Sequence, residues 1–204
     1  MIFESHRDRV ALSPTLRLAA LGGVIGPAAF IGGWTFGAAM TRRDYSSVHQ
    51  AISRLAEVGA DSRPVMTAGF VALGVGVPIY ACALRHAVGG LGWITATATG
   101  ITTLIVAATP LAHSAIVDTV HTVFAGIGYV TLAATPLLSA HPMLQRGHRG
   151  LARFGVAAGL SSGVSLVLAS SGLPTGLFQR IGLTTTHIWI AASALALRRE
   201  PHLR

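Results

Sequence analysis

The chain has 204 residues, of which 51% are hydrophobic and only 11% charged, and its formal net charge is +8. This composition excludes an ordinary soluble domain, in which about 25% of the residues are charged, and a disordered chain, which combines low hydrophobicity with high net charge. All 15 basic residues are arginines, and they lie in tails and short loops between apolar runs. We therefore interpret them as flanks of membrane spans that meet anionic lipid headgroups, and we expect no nucleic-acid partner.

Six apolar runs predict an all-α fold, a polytopic membrane protein with a bundle of six transmembrane helices. A span needs about 20 residues, and lipid forces each span to bond its own backbone groups, as a helix does. The first run is too long for the apolar part of a cleavable signal peptide. The predicted spans, within a single membrane domain of residues 1–204, are 16–40, 64–84, 90–109, 117–139, 151–171 and 178–197.

The distribution of arginines predicts the orientation in a bacterial cytoplasmic (inner) membrane. Ten arginines fall on the side of the two termini: Arg7, Arg9, Arg17, Arg85, Arg146, Arg149, Arg153, Arg198, Arg199 and Arg204. Five fall on the opposite side: Arg42, Arg43, Arg54, Arg63 and Arg180. Because cytoplasmic loops carry the excess of arginine, both termini are predicted to be cytoplasmic.

The first outer loop contains a predicted amphipathic helix over residues 47–58. Apolar residues recur on one face, namely Val48, Ala51, Ile52, Leu55 and Ala56, and polar residues occupy the other, namely His49, Gln50, Ser53, Arg54 and Glu57. Ser47 with Gln50 has the form of a capping box. The segment is expected either to lie in the membrane interface or only to shield the ends of the spans.

Small residues at intervals of four indicate two faces for close helix packing. One face, in the fifth span, carries Gly155, Gly159 and Gly163; the other, in the first span, carries Gly22, Gly26, Ala29, Gly33 and Gly37. These faces are expected either to pack inside one bundle or to form a homodimer, and the sequence leaves both alternatives open.

Asp118 and His121 open the fourth span at positions i and i+3, so they share one helix face. His113 precedes them, and His187 lies about two turns into the sixth span. Ionisable residues at membrane depth suggest a functional site. Three hypotheses remain open: a zinc site with the ligands His113, Asp118, His121 and His187, a structural hydrogen-bond network, and a ligand site without metal. The single cysteine, Cys82, excludes a cysteine-cluster metal site and an intrachain disulfide.

Arg180 completes a predicted polar cluster on the outer side. Asp118 and Arg180 both lie near the start of inward-running helices, so we expect the carboxylate and the guanidinium to pair at similar depth. The helix at 47–58, with His49 and Ser53 on its polar face, would form the roof, and His187 would line the floor. No nucleophile motif accompanies Ser53, which argues against a catalytic triad.

Three places in the chain carry a resemblance to a known family. They are Tyr45-Ser46 with Ile52-Ser53-Arg54-Leu55, Asp118 with His121, and Gly176–Leu183 with Trp189. With these residues the chain resembles, from about Leu18 to Leu197, the bacterial and archaeal membrane proteins grouped as domain of unknown function family 998. The resemblance implies the fold and no particular reaction.

These observations favour a non-enzymatic membrane protein that binds a lipid or small amphiphile from the outer leaflet. The candidate binding residues are Asp118, His121, Arg180, His187, His49 and Ser53. The alternatives are a metal-dependent membrane hydrolase that acts on lipid and a small transporter. Transport is less favoured because the inner halves of the spans contain almost no ionisable residue.

Overall fold

The computed structural model describes residues 12–41 and 45–199, and in this part of the chain all regular structure is helical. The α-helices are α1 Pro14–Ala20, α2 Gly22–Met40, α3 Arg63–Ala87, α4 Gly92–Ala108, α5 Ala115–Gln145, α6 Arg149–Ser170 and α7 Thr175–Arg199, with a 3-10 helix at Ile52–Ala56. Only Leu21 separates α1 from α2. Six helical stretches thus fall on the six predicted spans, and the all-α fold is confirmed.

Four helical stretches are long and apolar enough to cross a membrane, namely Pro14–Met40, Arg63–Ala87, Ala115–Gln145 and Arg149–Ser170. The chain is therefore a helical multi-pass membrane protein. The helix α4 is shorter, at 17 residues, and α7 is less apolar. Protein surrounds much of α7, which contacts α1, α2, α3, α5 and α6, so its side chains need not all suit lipid. The total of six spans stays a prediction.

Consecutive helices pack against each other, and α7 returns to α2 to close the bundle. Three connections, with the described residues 45–62, 109–114 and 171–174, gather at one end. The Val58 N–H donates to the Leu111 carbonyl at 2.9 Å, and the Leu177 N–H donates to the Val48 carbonyl at 2.9 Å. We call this the loop end of the bundle. Five of the orienting arginines (Arg7, Arg9, Arg42, Arg43 and Arg204) lie outside the described residues.

The glycine face of α2 packs inside the bundle. A Cβ atom at Gly22 would lie 2.2 Å from the Gly76 carbonyl oxygen, and one at Gly26 would lie 3.1 Å from the Ala72 carbonyl oxygen. Gly33 meets α3 in the same way, and Gly37 faces Ser62. This face therefore packs against α3 and its neighbouring residues inside the bundle, which was one of the two expected alternatives.

The glycine face of α6 is divided. A Cβ atom at Gly155 would lie 2.8 Å from Nε1 of Trp189, and one at Gly159 would lie 2.5 Å from Cγ of Leu137. A Cβ atom at Gly163 would have no atom within 4 Å. Gly155 and Gly159 thus serve contacts within the bundle, and a homodimer through the open position at Gly163 stays a prediction.

The first loop differs from the α-helix predicted over residues 47–58. A turn precedes a five-residue 3-10 helix, Ile52–Ala56, and Ala51 between them is extended, with ψ 149°. The cap forms at Ser46, whose Oγ accepts from the His49 N–H and whose own N–H donates to Gln50 Oε1, both at 3.2 Å. Residues 45–62 form no α-helix, and the Ile52 N–H donates to Oε1 of Gln179 of α7, at 2.8 Å, instead of to a carbonyl of its own segment.

Candidate functional site

Arg180, near the start of α7, anchors the first loop to the bundle. Its Nη1 donates to the carbonyl oxygens of Ser47 at 2.7 Å and Gly176 at 3.0 Å, and its Nη2 donates to the hydroxyl of Tyr45. The guanidinium also lies 5.0 Å from the ring centre of Trp34, in the range of a cation–π contact. Only 9% of the Arg180 side chain is exposed.

The close packing of the first loop against α7 requires a glycine at position 176. A Cβ atom at Gly176 would lie 2.3 Å from the Gln50 carbonyl oxygen, so any larger residue would push the loop away. Burial raises the pKa of the Tyr45 hydroxyl, although its hydrogen bond with Arg180 opposes that rise. The loop therefore packs on α7 through backbone oxygens and a neutral phenol.

The expected ion pair between Arg180 and Asp118 is wrong. No ion pair joins these side chains in the described part of the chain: Arg180 is held by the loop, and Oδ1 of Asp118 is buried without a hydrogen-bond partner. The Nη atoms of the guanidinium donate to carbonyl oxygens of the loop and of α7 and to the Tyr45 hydroxyl, while Nε is buried without a partner among the described residues. Arg180 thus belongs to the structural roof and leaves the carboxylate of Asp118 unneutralised.

His121 is fixed by one hydrogen bond and open at its other nitrogen. Its Nδ1 lies 2.6 Å from the carbonyl oxygen of Thr109. Because a carbonyl can only accept, Nδ1 carries the hydrogen, and Nε2 of the neutral ring is an acceptor. Nε2 is buried without a partner among the described residues, and the side chain is 3% exposed.

His187 of α7 is still more isolated. The side chain is 1% exposed, and both ring nitrogens are buried without a hydrogen-bond partner in the described chain. Its ring makes an edge contact with Phe30, with the centroids 5.2 Å apart at 70°. A neutral imidazole has one donor and one acceptor, so this residue offers both to whatever shares its cavity.

Both histidines line a cavity of ≈ 70 Å³, which we call the central cavity. Its wall is mainly aromatic and aliphatic, with polar groups from Ser53, Thr99, Thr102, Tyr129 and Gln179. A volume of this size exceeds what one water molecule requires. The central cavity is therefore large enough for several waters or for part of a small ligand.

A larger depression of ≈ 470 Å³ adjoins the central cavity, and we call it the side groove. Residues of α5, α6 and α7 line it beneath residues 51–54, and it shares His121, Ser53, Tyr129 and Gln179 with the central cavity. Asp118 and Thr122 line its polar end, whereas Leu166 and Phe178 contribute apolar surface. The side groove thus combines a carboxylate with a mostly apolar wall.

The structure brings together four of the six residues predicted to bind a ligand. Asp118, His121 and Ser53 line the side groove, and His187 lines the central cavity. His49 is exposed and lines a separate surface depression with Glu57, and Arg180 lines neither cavity nor groove.

The four predicted zinc ligands do not come together. His113 is exposed in the connection before α5, and no group of three or more His, Cys, Asp or Glu side chains within residues 12–41 and 45–199 is placed to hold a metal ion. Metal binding stays a prediction, which elemental analysis of the purified protein would test.

Tyr129 and Gln179 are site residues that the sequence reasoning missed. Tyr129 lies eight residues after His121 on α5, with Ala125 between them, and all three line both cavities. The i, i+4, i+8 spacing places them on one face and could have identified Tyr129. Gln179 had no such signal, because its partner Ile52 lies in a distant loop.

The fold and the site define a class: a helical multi-pass membrane protein with a partly polar cavity near one end of its bundle. The family model described as "Protein of unknown function (DUF998)" matches residues 24–196. The chain therefore belongs to this family, which confirms the resemblance found in its motifs. No curated protein and no solved structure matches the chain.

Proposed function

We propose that this protein binds a lipid or other small amphiphile in the side groove, with the polar head at Asp118 and His121. The observation that carries the proposal is the pair of buried acceptors without partners, Oδ1 of Asp118 and Nε2 of His121. An unsatisfied buried polar group destabilises a fold by about 1–3 kcal/mol. A ligand that supplies hydrogen bonds at this point would offset that loss.

The size and surroundings of the side groove support an amphiphile. Its volume of ≈ 470 Å³ falls within the usual range for small-molecule sites, about 300–1,000 Å³. Val123 follows Thr122 on α5 and is 53% exposed, and Val167 follows Leu166 on α6 and is 64% exposed. These exposed apolar neighbours are suited to contact lipid, which supports entry of an acyl chain into the groove from the bilayer.

Two glycines provide a matched test. Gly126 lines the side groove, Gly163 does not, and a Cβ atom at either position would have no atom within 4 Å. Gly126→Leu should therefore fill the groove without straining the bundle, while Gly163→Leu adds the same side chain elsewhere. We expect Gly126→Leu to reduce the amount of co-purifying amphiphile at least about fivefold by native mass spectrometry, which corresponds to roughly 1 kcal/mol.

The control fixes the interpretation of this experiment. Gly163→Leu should retain the wild-type amount of amphiphile. Equal occupancy in the wild type and Gly126→Leu would overturn the assignment of the side groove, as would the absence of bound amphiphile in the wild-type protein under the same conditions.

We further propose that the loop end faces the outside of the cytoplasmic membrane. The support is the excess of arginines on the side of the termini, ten against five. In a Cys82→Ser background, His49→Cys should react with an impermeant thiol reagent in intact cells, because His49 is exposed at the loop end. Gln145→Cys, exposed at the opposite end, should react only after the cells are opened; the reverse pattern would invert the topology.

A further inference from the structure

We infer that the side groove selects an amphiphile whose head group donates hydrogen bonds, an ammonium above a hydroxyl, and discriminates against carboxylate and phosphate heads. This inference rests on the proposed amphiphile binding and adds the chemical class of the ligand. It follows from the charges and hydrogen-bonding groups that remain unengaged around the groove.

Two buried acceptors beside each other at the polar end of the groove have no partner among the described residues. Oδ1 of Asp118 is buried without a partner, and an ionised carboxylate can only accept hydrogen bonds. Nε2 of His121 is also without a partner, and the hydrogen bond from Nδ1 to Thr109 makes it an acceptor in the neutral ring. Asp118 and His121 lie three residues apart on α5, so one donor-rich head could reach both.

The nearby cations, in contrast, are already engaged. Arg54 is the one arginine among the described residues that line the groove, and its Nη1 lies 2.9 Å from Oε2 of Glu57. Arg180 lines neither the groove nor the central cavity and donates to Ser47, Gly176 and Tyr45. An anionic head would therefore meet the carboxylate of Asp118, and the one guanidinium that lines the groove is already shared with Glu57.

The overall charge of the chain makes this preference distinctive. A formal net charge of +8 favours anionic over cationic amphiphiles at long range, although ten of the 15 arginines fall on the side of the termini and five at the loop end. A preference for ammonium heads would thus run against the global field. We assign such a preference to Asp118, the carboxylate among the described residues that line the groove.

Three probes with the same twelve-carbon chain test the inference: dodecylammonium, dodecanol and dodecanoate. Binding to the full-length protein in nanodiscs of uncharged phospholipid is measured by native mass spectrometry. We expect dodecylammonium to bind at least about tenfold more tightly than dodecanoate, the size of a charge-assisted hydrogen bond, with dodecanol between them.

Asp118→Asn removes the charge and keeps the shape of the side chain, and Asp61→Asn removes an exposed carboxylate in the loop before α3. The first substitution should abolish the preference for ammonium, and the second should leave it intact. A tighter binding of dodecanoate to the wild type, or an unchanged preference in Asp118→Asn, would overturn the inference.

The variant Gly126→Leu distinguishes a failure of head-group selection from a failure of the proposed amphiphile binding. If this variant weakens all three probes but the wild type prefers none, amphiphile binding stands and head-group selection falls. If Gly126→Leu binds all three as well as the wild type does, both proposals fall together.

Discussion

Hydroxyl pairs between the helices and the histidines of the cavities differ in their hydrogen bonding. Between α4 and α5 the hydroxyls of Thr135 and Thr95 lie 3.0 Å apart, and between α3 and α7 the hydroxyls of Tyr80 and Ser193 lie 2.6 Å apart. In the cavities nearer the loop end, His121 and His187 keep ring nitrogens without partners. Polar groups between membrane helices thus serve packing where they are paired, and indicate a site where they are not.

The two regions also differ in whether a polar side chain bonds a carbonyl of its own helix. Paired threonines in membrane helices satisfy their hydroxyls on carbonyls of their own helix, as Thr135 does with the Thr131 carbonyl at 2.8 Å. Neither ring nitrogen of His187 finds such a carbonyl. The two regions should therefore respond differently to substitution, in stability on one side and in ligand binding on the other.

The largest loss of stability is expected for Arg180→Met. The substitution removes the donors to Ser47, Gly176 and Tyr45 and leaves buried carbonyl groups unpaired. We expect the free energy of unfolding to fall by about 3 kcal/mol, measured by thermal unfolding in detergent, with faster hydrogen exchange in residues 45–56. Arg54→Gln removes an exposed surface pair and should change stability by about 1 kcal/mol or less; equal losses would deny Arg180 its role as the anchor.

Tyr80→Phe should have the next largest effect. Tyr80 is fully buried and bonded to Ser193, so removal of its hydroxyl should lower the free energy of unfolding by about 1–2 kcal/mol. Ser193 keeps its hydrogen bond to the Ile190 carbonyl, at 2.8 Å. A double-mutant cycle with Ser193→Ala measures the pair itself, and additive losses would contradict a direct bond between the two hydroxyls.

Thr135→Val replaces a fully buried hydroxyl by a methyl group of similar size. Loss of the contact with Thr95 should lower the free energy of unfolding by about 1 kcal/mol. The control is Thr185→Val, because half-buried Thr185 bonds the carbonyl of Ile181 on its own helix, at 2.7 Å, and not a neighbouring helix. Equal changes in unfolding temperature for the two variants would indicate that the hydroxyl contact between α4 and α5 contributes nothing.

The sequence predicted the parts of this molecule that local rules determine. Apolar runs located the helical stretches, and the i, i+3 spacing placed Asp118 and His121 on one face that the structure directs to the side groove. The hydrogen-bond partners of Arg180 could not be predicted from the sequence. They include the backbone carbonyls of Ser47 and Gly176, and no pattern of side chains indicates a backbone partner. The helix predicted in the first loop was wrong for the same reason. Gln179, which is distant in the sequence, accepts the hydrogen bond of the Ile52 N–H.

The smallest change in stability, and the one that separates the two regions most sharply, is expected for His187→Leu. A buried polar group without a partner lowers stability, so its replacement by an apolar side chain of similar size is neutral or stabilising. His187 is 1% exposed, its ring nitrogens are unpaired among the described residues, and its ring packs on Phe30. We therefore expect the free energy of unfolding to change by less than about 0.5 kcal/mol, or to rise.

The measurement is the unfolding temperature of His187→Leu beside that of Tyr80→Phe, in the same detergent and without added amphiphile. Tyr80→Phe removes a paired hydroxyl, whereas His187→Leu removes two unpaired nitrogens, so their effects on stability should differ in size or in sign. If His187→Leu lowers the free energy of unfolding by more than about 1.5 kcal/mol, His187 is part of the packing of the bundle. The central cavity would then lose its most buried polar group, and the unpaired acceptors at Asp118 and His121 would carry the site alone.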